Sequence, residues 1–202
     1  MKLNLGCGNK KIAGFCNVDK YGDPDLRLDL ERMPWPWEDN SVDEIYLHHV
    51  LEHLGESKDT YLGIWKEMYR VLKPAGVVIV VVPHPRCSDF LNDPTHVRPV
   101  TPESLTLFNQ RLNREWQESG AANSTLGLYL GIDFRILTCD YVPTPEWLHK
   151  FKGETDEKRL MALMQRDERF LNNVVKEIRL CLVKVAEEAD VDRAIERARE
   201  AA

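Results

Sequence analysis

The chain has 202 residues with 43% apolar content and a formal net charge of −6, enough apolar material for one well-buried domain core. Lys and Arg are nowhere clustered, which argues against a duplex-binding surface, and the longest apolar run, Val77 to Val82, is far too short to span a bilayer. The five cysteines (7, 16, 87, 139 and 181) are scattered with no CxxC pair, so reduced thiols in a cytoplasmic protein are expected, and no zinc site of the usual spacing.

Met1-Lys2 leads straight into a strand over Leu3–Gly6, with no secretory signal. Further strands are expected over Phe15–Asp19, Leu26–Leu30 and about Glu44–His48. Leu62, Trp65, Met68, Tyr69 and Leu72 recur at helical spacing, which predicts a helix over 58–72 ended by Pro74 and Gly76. The β-branched run that follows suits a strand buried on both faces of a parallel sheet. Thr101-Pro102-Glu103 carries the signature of a helix start, with Thr101 as N-cap and Pro102 in the first turn. Beyond it, Asp133–Val142 and Val175–Val185 read as a late strand pair, with a helix between them at about 156–171. The charged tail, residues 187–202, reads as a helix with a thin apolar stripe of Val191, Ala194, Ile195 and Ala198, more in keeping with a solvated face than an oligomer contact. Strands alternating with helices predict an open α/β sheet, but the helices usual after the first two strands have no residues to form from.

In such a sheet, ligands bind beyond the carboxyl ends of the strands. Gly6, Cys7 and Gly8 fall there, followed by Asp19 at the end of the second strand and Asp29 at the end of the third. Glycines admit a ligand close to the backbone, and a carboxylate after the second strand can accept bonds from both ribose hydroxyls. Alone, the GxG is compatible with a simple turn and each acid with a strand-end turn. Together they favour a nucleoside ligand. The third glycine of a dinucleotide fingerprint is missing, with Lys11 in its place, and so is the lysine–serine pair of a phosphate loop.

"LNLGCG", "NVD", "DLERMPWPWEDNSVDEIYLHHVLEHL" and "EMYRVLKPAGVVIVVVP" together resemble the class I S-adenosylmethionine-dependent methyltransferases, in particular their compact type-11-like group. "DPTHVRPVTPESL" and "VVKEIRL" extend the resemblance more loosely. It implies a Rossmann-like, open, mostly parallel seven-stranded sheet with the first helices truncated, and a cofactor-binding domain over residues 1–186. Segments of about 84–127 and 143–172 would frame the acceptor. It implies that Leu5, Gly6, Cys7 and Gly8 lie against the methionine part of S-adenosylmethionine, that Asp19 holds the ribose, and that Asp29 and Leu30 border the adenine. His48 and His49 would face the sulfonium.

The implied reaction is methyl transfer by in-line displacement. It needs a general base only if the acceptor must lose a proton, a role histidine suits near neutral pH. His49, His84 and His96 are the candidates. His53 and Glu52, in "VLEHL", read as capping or packing residues, and His48, His49 and His53 do not suggest a metal. Trp35 and Trp37 read as packing over the sheet edge. The expected acceptor is a small molecule or glycan, with nucleic acid disfavoured by the charge, and a homodimer is compatible with the sequence. Two other readings remain open: a non-catalytic module that binds S-adenosylmethionine or S-adenosylhomocysteine, and a nicotinamide-dependent oxidoreductase, which the missing glycine disfavours.

Overall fold

A computed structural model describes residues 1–200 of the chain. In chain order the elements are β1 (Lys2–Leu5), β2 (Cys16–Asp19), β3 (Leu26–Arg27), β4 (Val42–His48), a 3-10 turn (Leu51–His53), α1 (Lys58–Val71), β5 (Leu72–Pro83) and α2 (Ser88–Leu91). They continue with α3 (Pro102–Thr106), α4 (Gln110–Ser119), α5 (Leu126–Leu130), β6 (Phe134–Pro143), α6 (Pro145–Lys150), α7 (Glu157–Glu168), β7 (Val175–Lys184) and α8 (Asp190–Glu200). The seven strands form one sheet in the order β3-β2-β1-β4-β5-β7-β6, parallel except for β7, which runs antiparallel to both neighbours. No helix lies between β1 and β4, so the sheet, its sense and the truncation agree with expectation.

Three expectations need adjusting. β3 stops at Arg27 rather than Leu30. The alternation of "LRLDL" is met instead by a loop that leaves the sheet and buries Leu30 in the core. α1 ends at Val71 and β5 begins at the next residue, so Pro74 and Gly76 lie inside an irregular strand start, with Ala75 at φ 59°, rather than at a helix stop. And β5 is not equally buried on both faces: Val78, Val80 and Val82 are fully buried, whereas Val77 and Ile79 are only half-buried. The reason is the missing helices. α1 packs its apolar stripe of Ile64, Trp65, Met68 and Val71 on the face made by Leu3, Leu5, Ile45, Leu47 and the even-numbered β5 valines. Among the described residues, the helix packed on the opposite face is α8, which seals the start of β5 and the end of β7 through Ala194 and Val191 against Ala75, Val183 and Val185.

Capping sets the helix limits. Ser57 accepts from the Thr60 amide at the start of α1. Thr101 begins α3 as expected, closing a capping box with Ser104 rather than with an acidic residue. At the far end of α1, Lys184 of β7 donates 2.7 Å hydrogen bonds to the Tyr69 and Leu72 carbonyls and to Asn40 Oδ1. An ammonium on the last carbonyls of a helix satisfies orphan acceptors and complements the helix dipole. Among the described residues, no helix is long and apolar enough to cross a membrane.

Candidate functional site

The carboxyl ends of β1, β2 and β4 open onto a cavity of about 340 Å³ whose walls include Gly6, Asp19, Leu28, Asp29, Leu30 and His49. Gly6 makes the floor possible. Its φ is +68°, and a Cβ built there would fall 2.5 Å from Cγ2 of Val50, so the chain can turn off β1 this close to the β4 end only as glycine. Gly8 (φ +50°) points its N–H at Asp19 Oδ2, 2.8 Å away. Asp19 Oδ1 accepts from the Tyr21 amide, also at 2.8 Å. Both oxygens are thus held in place by backbone donors, and each keeps further accepting capacity in a residue that lines the cavity. Asp29 pairs with Lys20 Nζ at 2.9 Å and stands 3.6 Å from Arg32 Nε. The Lys20 hydrogen bond holds its carboxyl below the usual carboxylate range. Glu31 Oε1 accepts from the Gly55 amide at 2.7 Å and ties the outer wall to the turn after β4.

The histidines divide between surroundings. His49 takes a left-handed conformation (φ 55°) while its amide still bonds Val81 O, so its ring swings out over the cleft. The ring sits between two carboxylates, Nδ1 3.3 Å from Glu52 Oε1 and Nε2 3.4 Å from Glu177 Oε2. Glu52 first, and then Glu177, raise its pKa against the opposing pull of burial. His48, one residue earlier, points to the other side of the sheet. There it lines a second cavity of about 200 Å³ with Asn4, Cys7, Lys10 and Tyr46, and burial lowers its pKa. Leu5 is fully buried beneath the loop.

His84 is buried at the end of β5, with Nδ1 accepting from the Arg86 amide at 3.2 Å and Nε2 3.4 Å from Glu168 Oε1. Its neighbours Glu168 and Tyr141 line a separate cavity of about 320 Å³. His96 comes in on the loop before α3, whose Val97 and Arg98 amides both bond the Glu52 carbonyl. Its ring stacks on Phe90 and meets His53 edge-on, centroids 4.5 Å apart.

The fold therefore gathers Gly6, Asp19, Asp29, Leu30 and His49 around one cleft, with Gly8 locking Asp19 and His96 adjoining through His53. Cys7 and His48 face the neighbouring cavity, and His84 stands apart. Sequence reasoning did not single out Lys20, Tyr21, Glu31 or Glu177. The first three follow an acid of the site by one or two positions. Glu177 carries no local signal, because β7 returns to His49 from 128 residues away. Trp35 packs in the core, as expected, with its Nε1 on Leu30 O.

Residues 16–80 match the family model described as a methyltransferase domain. A solved structure of an S-adenosylmethionine-dependent methyltransferase from Archaeoglobus fulgidus superposes with a TM-score of 0.59 at 17% identity, covering 91% of this chain and 85% of that one. The chain has the class I methyltransferase fold, and its match to the methyltransferase-domain model is confined to residues 16–80. A second methyltransferase structure, the 1,6-didemethyltoxoflavin-N1-methyltransferase of Burkholderia thailandensis with 1,6-didemethyltoxoflavin and S-adenosylhomocysteine bound, aligns at TM-score 0.50 and 12% identity over 91% of this chain and 70% of that one. No curated protein matched the sequence. On this sheet, the cleft lies over β1, β2 and β4, where strand order reverses and a ligand site is expected.

Proposed function

We propose that this methyltransferase binds S-adenosylmethionine in the Gly6–Asp19–Asp29 cleft and transfers the methyl group in line to a small-molecule or glycan acceptor. The observation that carries the reading is Asp19: a carboxylate at the end of β2, anchored by two backbone N–H groups and open to a cavity on its other side. The cavity's chemistry suits the cofactor. Asp19 has lone pairs for ribose hydroxyls, Leu28 and Leu30 offer an apolar wall to the adenine, and Asp29 stands where an amino group can share its pairing with Lys20. S-adenosylmethionine supplies an electrophilic methyl on a good leaving group. The protein's part is to align donor and acceptor and to exclude water, which in favourable cases accounts for roughly 7–11 kcal/mol of barrier. Where the acceptor must lose a proton, His49 is the group on the cleft wall that can take it, and Glu52 and Glu177 hold the resulting imidazolium. His84 and His96 serve the acceptor side in this reading, since neither lines the cofactor cleft.

Calorimetric titration with S-adenosylhomocysteine tests the assignment. The wild-type protein should bind one equivalent. Asp19→Ala should weaken binding by about 1–3 kcal/mol, roughly 5- to 150-fold, from lost charge-assisted bonds. No binding to the wild-type protein, or unchanged affinity in the variant, would refute the site.

A further inference from the structure

We propose that Glu52, His53 and His96 form a divalent-metal site at the rim of the cofactor cleft, and that the acceptor of this methyltransferase is a hydroxyl-bearing molecule whose oxygen the metal holds. One ligand atom from each of the three residues lies within 4.8 Å of the others. Ligands on a single ion with bonds of about 2.1 Å lie no more than about 4.2 Å apart, so the set closes with a small adjustment of the two part-buried rings.

The independent observation is Glu52. Its side chain is wholly buried, and neither carboxylate oxygen has a hydrogen-bond partner. His49 approaches one of them at 3.3 Å but without hydrogen-bond geometry, so this contact leaves the charge poorly compensated. A buried carboxylate without good partners is costly, and a bound cation removes the cost.

The two imidazoles are prepared as ligands by their surroundings. His96 Nδ1 lies 2.8 Å from the Phe90 carbonyl, which can only accept, so Nδ1 carries the proton and Nε2 keeps its lone pair. His53 Nδ1 lies 3.0 Å from Thr95 Oγ1, whose own proton goes to Asp93 Oδ1 at 2.6 Å. The hydroxyl therefore accepts from His53, and this ring too keeps a bare Nε2. Metal-binding histidines typically donate their other nitrogen to a carbonyl or carboxylate in this manner. Asp93 Oδ2 stands 3.8 Å from His96 Nε2, outside hydrogen-bond reach, and adds negative charge beside the set. Two imidazoles and a carboxylate suit zinc, manganese, iron or cobalt better than magnesium or calcium.

Three protein ligands leave coordination positions open, and His53 also lines the cofactor cleft. The set therefore sits beside the cleft through His53, close enough for an ion there to hold an acceptor oxygen. A hydroxyl bound there has its pKa lowered. Its proton leaves to His49 or to water, the oxygen forms the new O–CH3 bond, the S–CH3 bond breaks, and S-adenosylhomocysteine departs with the metal unchanged. This acceptor assignment rests on the reading of the cleft given above; the metal site itself does not.

Titration of the full-length protein with cobalt(II) chloride, followed by visible absorption, and calorimetry with zinc chloride test the site. One equivalent is expected, with d–d bands of nitrogen and oxygen ligation. His96→Ala and Glu52→Gln should each weaken binding by at least about 100-fold, while His96→Ala should bind S-adenosylhomocysteine within about 3-fold of wild type, because His96 lies outside that cleft. If either variant fails to fold, His53→Gln replaces it in the metal titration alone, because His53 lines the cleft and its S-adenosylhomocysteine affinity is not a control. Absence of metal binding, equal affinity in the variants, or a thiolate charge-transfer band placing the ion on cysteines would overturn the metal site even if S-adenosylhomocysteine binds normally. Metal binding without S-adenosylhomocysteine binding would instead sink the cleft reading. Hydroxyl acceptors should be methylated only by the metal-loaded protein, and metal-independent methylation would overturn the acceptor class.

Discussion

Gly6 does two jobs with one missing side chain: it turns the chain at positive φ, and it leaves room for Val50. Gly6→Ala therefore incurs left-handed strain of about 1–2 kcal/mol and an overpacking cost of about 1–3 kcal/mol against a Cβ position 2.5 Å from Val50 Cγ2. Denaturant unfolding should show a combined loss of about 2–5 kcal/mol. Adding Val50→Ala should relieve the steric part but not the conformational part, and a double variant no better than Gly6→Ala would refute the packing argument. At this scale the sequence was a good guide wherever chemistry is local. Gly6, Asp19 and Asp29 announce themselves by position after strands, and all three reach the cleft. His96 was visible as a candidate, but its meeting with Glu52 and His53 was not. That contact depends on a loop pinned by the Glu52 carbonyl, and main-chain acceptors leave no mark on a residue pattern.

Among the elements, the junction of α1 and β5 departs most from expectation. Pro74 and Gly76 have the composition of a helix stop, yet the helix has already ended at Val71. What completes its end is Lys184, from β7, the strand beside β5. Burial pushes the Lys184 amine down to about 8, while three acceptors at 2.7 Å and the Tyr69 ring at 4.5 Å favour the ammonium, the form with enough protons for all three bonds. Lys184→Met should cost about 2–4 kcal/mol in chemical denaturation, since it strands buried acceptors rather than merely deleting a charge. A loss under about 0.5 kcal/mol would mean that water takes the place of the amine. Strand periodicity misled only for "LRLDL", where a loop that buries Leu30 imitates a ladder. The late strand pair was legible because its apolar-rich runs are long, at ten residues in each of β6 and β7.

For the whole molecule, the sheet is covered on one face and largely open on the other. The seven-strand topology was legible through family resemblance; its one-sidedness was legible only as residues too few for helices between β1 and β4. Amide hydrogen exchange should report this directly. The amides of β1, β4, β5 and β7, flanked by strands on both sides, should exchange slowest, and those of two-residue β3 at the sheet edge should be among the first to exchange. Comparable protection in β3 and β5 would contradict the architecture. The Gly6–Val50 contact also has a thermodynamic consequence. Val50 immediately precedes the turn bearing Glu52 and His53, so the glycine loop packs against the root of that turn. A ligand that quiets the loop lowers the entropy still to be lost by the turn, and the reverse holds by the same amount. Cofactor and the proposed metal should therefore each tighten the other, and calorimetry of each in the presence of the other should show equal gains in affinity.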